Sequence, residues 1–228
     1  MNFRNYSKTD YVNMKKFFQV DKGFEIKGCF GLKGCPNAIT KSENLIKKFE
    51  DILMKENITE FLKTKVKGPL KVHHKFKVAL SECPNGCSQI YIADFALHGF
   101  LKFDVKEEIC NLCGACVEVC EEEAIKIEEN RLIVENEKCV GCGACVRVCP
   151  TGALKENFKG YKIYVGGKLG RHPRLATFLT VLDKEEDILN IFKKVLRLYK
   201  DKNIKGERLG TIIEKMGWES FVKILENY

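Results

Sequence analysis

No apolar run in this chain approaches the roughly 20 residues that a membrane-spanning helix needs, so no membrane association is expected. The first residues, MNFRNYSKTDYVNMKK, lack the apolar block of a secretory signal. Histidine is scarce, with 4 in 228 residues. His73, His74 and His98 carry no constellation and are expected to be structural or surface residues. His172 could donate to a cofactor carboxylate, but Pro173 beside it suits a structural turn equally well. A histidine-ligated haem is therefore not favoured. Basic residues interleaved with exposed aromatics are also missing: the lysines are scattered, and no nucleic-acid partner is expected.

Cysteine, by contrast, is abundant, with 12 residues. In a chain without an export signal this points to metal ligation in a reducing, anaerobic cytoplasm, not to a disulfide framework. Eight of the cysteines form two runs, C-x2-C-x2-C-x3-C from Cys110 to Cys120 and C-x2-C-x2-C-x3-C-P from Cys139 to Pro150. That is the ligand spacing of two [4Fe–4S] cubanes, with the fourth cysteine of each run crossing to the other cluster. Cys110, Cys113, Cys116 and Cys149 are thus expected to hold one cluster, and Cys139, Cys142, Cys145 and Cys120 the other. A zinc site needs only two C-x2-C knuckles, so a pair of zinc sites is the weaker reading. Glu121 follows Cys120 where the second run has proline, a deviation that leaves ligation intact.

Charge separates the same region from the rest. Residues 104–156 carry 12 acidic and 6 basic side chains, the remainder 33 basic and 19 acidic. An acidic module sits inside a basic body, whose field suits small anions or a polycarboxylate cofactor. A Lys- and Glu-rich surface is also a habit of hyperthermophile proteins.

The periodicity predicts an α/β body interrupted by the double run. Phe17, Phe18 and Phe24 are available for burial near the start. Ser42 is an N-cap candidate for a helix with Leu45, Ile46, Phe49, Ile52 and Leu53 at helical spacing. KFKVAL at 75–80 alternates as a strand, with Phe76, Val78 and Leu80 on one face and Lys75 and Lys77 on the other. Residues 124–134 read as a hairpin or turn between two halves of an internal repeat, CNLCGACVEVC and CVGCGACVRVC. Residues 161–165 form a second strand, entering the glycine-rich loop 166–174. An amphipathic helix spans 183–202, and two shorter helices meet near Gly217.

Cys29, Cys35, Cys83 and Cys87 stand apart as C-x5-C and C-x3-C. On spacing alone they could bind zinc or be free buried thiols. The surrounding residues CFGLKGC (29–35), ECPNGC (82–87), YIADFALHG (91–99) and GGKLGRHPRLA (166–176) resemble the siroheme-dependent nitrite and sulfite reductase family. The resemblance covers roughly residues 26–225. It implies that these four cysteines hold a third [4Fe–4S] cluster and that Cys87 bridges it to the siroheme iron. Lys168, Arg171 and Arg174 would then meet the siroheme carboxylates. Gly166, Gly167 and Gly170 would let the backbone approach the macrocycle. Lys75 and Lys77 would bind the anionic substrate.

The expected fold is α+β: half of a siroheme domain (1–103 and 157–228) interrupted by a bacterial-type two-cluster ferredoxin insertion (104–156). The implied activity is six-electron reduction of sulfite to sulfide, or of nitrite to ammonia. An external low-potential donor would deliver electrons at the insertion. Family members are built from two related halves and this chain matches the second, so a homodimer or a partner subunit is expected to complete the site. Two other readings remain: a non-catalytic electron-transfer protein with three clusters, and a redox sensor binding nucleic acid through the basic body.

Overall fold

The computed structural model describes residues 19–228. Phe17 and Phe18 lie outside the described residues, while Phe24 is buried. The fold is mixed α+β. A five-stranded sheet has the order β1-β2-β3-β6-β7, and a two-stranded hairpin, β4-β5, stands apart. The strands are β1 (Phe24–Gly28), β2 (Phe76–Ser81), β3 (Phe95–Val105), β4 (Ile125–Glu128), β5 (Arg131–Val134), β6 (Leu154–Val165) and β7 (Thr177–Leu182). The helices are α1 (Glu43–Lys55), α2 (Ile58–Lys65), α3 (Ala115–Glu118), α4 (Ala144–Val148), α5 (Glu185–Lys202), α6 (Leu209–Met216) and α7 (Trp218–Glu226). Among the described residues, no helix is long and apolar enough to cross a membrane.

Period-two alternation sorts the sheet into two faces. Phe76, Val78 and Leu80 of β2, Phe95 and Leu97 of β3, and Tyr161, Ile163 and Val165 of β6 enter the main core beside the helices. Phe49 of α1 meets Phe192 of α5 at 4.5 Å and Phe95 at 5.7 Å between ring centroids. Truncating Phe192, which is fully buried, is expected to cost ~3–5 kcal/mol. The opposite face carries Lys77, Ala79, Ala96, His98, Lys162 and Tyr164. A short turn at Ile90–Ile92 covers its centre, packing Ile90 and Ala93 on Ala79 and Ala96.

β1, β2 and β3 are mutually parallel, and parallel neighbours need crossover connections instead of tight turns. The first crossover, residues 29–75, leaves the end of β1. The second, residues 82–94, leaves the end of β2. Gly28 pairs with Leu80, so both crossovers start side by side at the carboxyl edge of the sheet. That edge is where open sheets with parallel strands habitually place ligands.

β3 and β6 pair antiparallel from Phe95↔Val165 to Val105↔Leu154, with an irregularity between Lys102 and Phe103. The strand expected at 161–165 therefore begins earlier, at Leu154, and positions 104 and 156 fall within paired strands. The residues between Val105 and Leu154 form a separate apolar cluster of Ile125, Leu132, Cys145 and Leu154. They join the sheet through Gly141, whose carbonyl accepts the Leu101 N–H at 3.0 Å. Gly141 has φ +74°, and a Cβ there would lie 2.4 Å from the Phe100 ring. Its counterpart in the first half of the repeat, Leu112, holds the same left-handed turn at φ 55°.

Candidate functional site

The twelve cysteines, all free thiols, fall into three groups of four. Cys110, Cys113, Cys116 and Cys149 line one small pocket together with Leu112, Ile127 and Leu132. Burial pushes the Cys116 thiol up, and Cys110, Cys113 and Cys149 add to the effect. Cys145, the one buried cysteine, is pushed up to about 12 by burial, with further contributions from Cys142, Cys139 and Cys120. The fourth cysteine of each run thus neighbours the first three of the other.

The third group forms at the carboxyl edge of the sheet. Cys29, Cys35, Cys83 and Cys87 line a small pocket with Phe30, Asn37, Glu82 and Asn85. Burial pushes the Cys83 thiol up, and Cys29, Cys87 and Cys35 lie close enough to add to it. Cys29 Sγ accepts N–H bonds from Gly31 at 3.2 Å and from Glu82 at 3.3 Å. Asn85 Nδ2 donates to the exposed Cys87 Sγ at 3.0 Å. A cationic centre bound among these four thiols would offset the burial that holds the Cys83 thiol protonated. Among the described residues, no three His, Cys, Asp or Glu side chains converge tightly enough for one metal ion. Four thiols gathered in one group are the donor set of a [4Fe–4S] cubane.

An open cleft separates the third group from the second. Asn37, Cys83, Pro84 and Asn85 line one side; Cys120, Glu121, Glu122, Cys142 and Arg147 line the other. The tertiary fold thus brings the cysteines of the sheet edge opposite those of the double run.

The cationic candidates divide. Lys77 faces a small cleft with Glu25, Lys27 and Gln89, and its Nζ lies 4.0 Å from Glu25 Oε2. Burial pulls its pKa below the lysine value, with Arg208 and Lys27 adding to the effect. Lys75 lies one residue before β2 and is not among the residues lining that cleft. In the 166–174 loop, Lys168 and Arg174 exchange both backbone hydrogen bonds. Lys168 is 6 % exposed and donates to Glu214 at 2.6 Å and Thr211 at 3.0 Å. Arg174 donates to the Gly166 carbonyl and to Thr177 Oγ1, each at 2.7 Å. Of the three, Arg171 is the exposed one. His98 is buried, with Nδ1 2.8 Å from the Gly99 carbonyl and Nε2 3.2 Å from Tyr164 Oη, in keeping with a structural role.

Sequence reasoning missed the buried ion pair that fixes this region. Arg208 Nε reaches both oxygens of Asp94, at 2.9 and 2.7 Å, and its Nη2 donates to the Gly167 and Ile92 carbonyls. Asp94 also accepts the N–H groups of Lys77 and Leu209. One carboxylate therefore ties β2, the glycine loop and α6 together. Asp94 lies within the quoted YIADFALHG stretch, but nothing local pairs it with a residue 114 positions away.

Residues 20–228 match the family described as the nitrite and sulphite reductase 4Fe-4S domain. The chain belongs to this family. It is 40% identical over 152 residues to the coenzyme F420-dependent sulfite reductase of Methanocaldococcus jannaschii, a match covering 66% of this chain and 24% of that protein. An uncharacterized protein of the same organism is 33% identical over 199 residues, covering 86% of this chain and 63% of the relative. The chain thus spans about a quarter of the first relative and under two thirds of the second. Among solved structures, dissimilatory sulfite reductase I shares the fold with a TM-score of 0.62 at 19% identity, over 88% of this chain and 51% of that one.

Proposed function

We propose that this chain is a siroheme- and iron–sulfur-dependent reductase acting on sulfite, or on nitrite. Residues 104–156 would form an inserted two-cluster ferredoxin domain, with 1–103 and 157–228 forming the siroheme half. The observation that carries the reading is the gathering of all twelve cysteines into three groups of four, the last ending in the exposed Cys87. Family membership and the sulfite-reducing relative support it.

Cys110, Cys113, Cys116 and Cys149 would hold one cluster; Cys139, Cys142, Cys145 and Cys120 the second; Cys29, Cys35, Cys83 and Cys87 the third. Cys87 would also bridge to the siroheme iron. When bound, siroheme would supply a metal centre for the anion, and the clusters would relay to it the six electrons that an external donor delivers. The remaining roles belong to side chains. Lys77, and Lys75 ahead of it, would attract the anion. The lowered pKa of Lys77 makes its Nζ a readier proton donor than an ordinary lysine, and the reaction consumes protons. Arg171 would meet siroheme carboxylates directly, while Lys168 and Arg174 would shape the loop through their internal bonds. The acidic 104–156 segment would receive the external low-potential donor.

Anaerobic expression with a siroheme supply tests the reading. The expected result is siroheme absorption bands with about 13 iron atoms per chain, twelve from three cubanes and one from the haem. About 12 iron atoms with no siroheme bands would instead mark an electron-transfer protein.

A further inference from the structure

Between β2 and Cys83 sits a carboxylate that the proposed chemistry does not use. Glu82 is 1 % exposed. Its Oε1 accepts the Ser42 N–H at 2.7 Å and the Ser42 hydroxyl at 2.6 Å, and its Oε2 accepts the Thr40 hydroxyl at 2.8 Å. All three donors are neutral, and among the described residues no cation lies within ion-pair distance of Glu82. Ser42 immediately precedes α1, so the carboxylate also faces a helix end whose unpaired N–H groups favour negative charge. Ser42 stands at the expected N-cap position, but its hydroxyl makes no capping bond. It serves Glu82 instead.

The backbone of Glu82 is equally committed. Its N–H donates to Cys29 Sγ at 3.3 Å, and its carbonyl accepts the Ile39 N–H at 2.8 Å. One residue therefore joins the Cys29 loop, the segment after Cys35, and the Cys83 loop. Gly31 leaves room for this contact: a Cβ there would lie 2.4 Å from Glu82 Cγ.

We propose that Glu82 is a positioning residue of the Cys29/Cys35/Cys83/Cys87 site, clamping its two loops together and lowering the reduction potential of the cluster held there. The inference rests on the reading that these four cysteines bind a [4Fe–4S] cluster. The clamp follows from the bonds to Thr40 and Ser42. The potential follows from a carboxylate held by three hydrogen-bond donors beside the cysteines, where negative charge disfavours adding an electron.

Two variants separate the parts. Glu82→Gln keeps acceptors for Ser42 but removes the charge. It is expected to retain full iron while one of three EPR-monitored reduction equilibria shifts about tenfold toward the reduced state, roughly 59 mV for a one-electron couple. The other two should stay in place. Glu82→Ala removes the clamp and is expected to lose about 4 of about 12 cubane irons. An unmoved potential in Glu82→Gln overturns the electrostatic role, and full iron retention in Glu82→Ala overturns the clamp. If Glu82→Ala does not fold, Thr40→Val with Ser42→Ala tests the clamp through the same iron count, with full retention overturning it. Failure of the underlying reading looks different: wild-type protein would carry about 8 cubane irons, and Cys29→Ser would leave that number unchanged.

Discussion

Cys110 and Cys113 lie in the loop ahead of α3 and Cys116 within its first turn, while Cys149, which lines the same pocket, comes from the second copy of the repeat. Cys29, Cys35, Cys83 and Cys87 meet only because β1 and β2 run parallel and release their crossovers at one edge. The first arrangement is written in local spacing and the second in sheet topology. Damage to the sheet should therefore empty the second site and spare the first, while damage to the repeat should do the reverse.

The sharpest break between them is expected from Cys87→Ser. Under the proposed function, reduction of sulfite by reduced methyl viologen should fall at least ~100-fold, about 2.7 kcal/mol in the barrier, while the two clusters proposed for the double run stay intact. Persistent activity would remove Cys87 from the bridge. Next in size is Gly99→Ala. A Cβ on Gly99 would lie 2.3 Å from the Glu82 carbonyl oxygen, so overpacking should cost ~1–3 kcal/mol in denaturant unfolding, with iron lost at the sheet edge. Gly114→Ala is its counterpart in the repeat: φ is +80° with open space around it, and ~1 kcal/mol is expected. Equal costs at the two positions would erase the distinction.

Replacing Lys75 and Lys77 together with alanine should raise KM about tenfold, some 1.4 kcal/mol, with cofactor content unchanged. An unchanged KM would return both lysines to a solvated strand face. In the wild type the binding contribution proposed for Lys77 would be full while its amine is protonated. It is lost as pH rises through its folded pKa, which burial holds below 10.5. KM should therefore begin to climb at lower pH than an ordinary lysine would dictate.

The smallest effect belongs to the hairpin. Hydrogen bonds from Lys126 and Lys138 hold the Glu135 carboxyl at about 2. This contribution is present above the unfolded carboxylate pKa and fades as pH falls toward 2. Because the ion pairs lie at the surface, Glu135→Gln should shift the thermal midpoint only slightly, and added salt should abolish the difference.

The sequence was informative wherever the determinant is local. Helix spacing predicted α1 and α5, alternation predicted β2, and the stretch between the cysteine runs, expected as a hairpin or turn, is the β4-β5 hairpin. β7 was not legible, because Thr177–Leu182 shows no clean alternation, and its burial pattern is mostly intermediate. The inward commitment of Lys168 was equally hidden. A lysine in a glycine-rich loop reads as exposed until α6 brings Glu214 and Thr211 against it. Glu82 lay in plain view beside Cys83, yet its role depends on Thr40 and Ser42, forty residues earlier in the chain.

The β3–β6 pairing has one more consequence. Its register closes from Phe95↔Val165 outward to Val105↔Leu154, so everything between is topologically the tip of one long hairpin. Loop-closure entropy grows only slowly with length, and a tip can be lengthened or trimmed without reordering the strands beneath it. Excising residues 106–153 and joining the strands with a short turn should leave a sheet of unchanged connectivity. The acidic segment is therefore expected to behave as a removable tip of the β3–β6 hairpin.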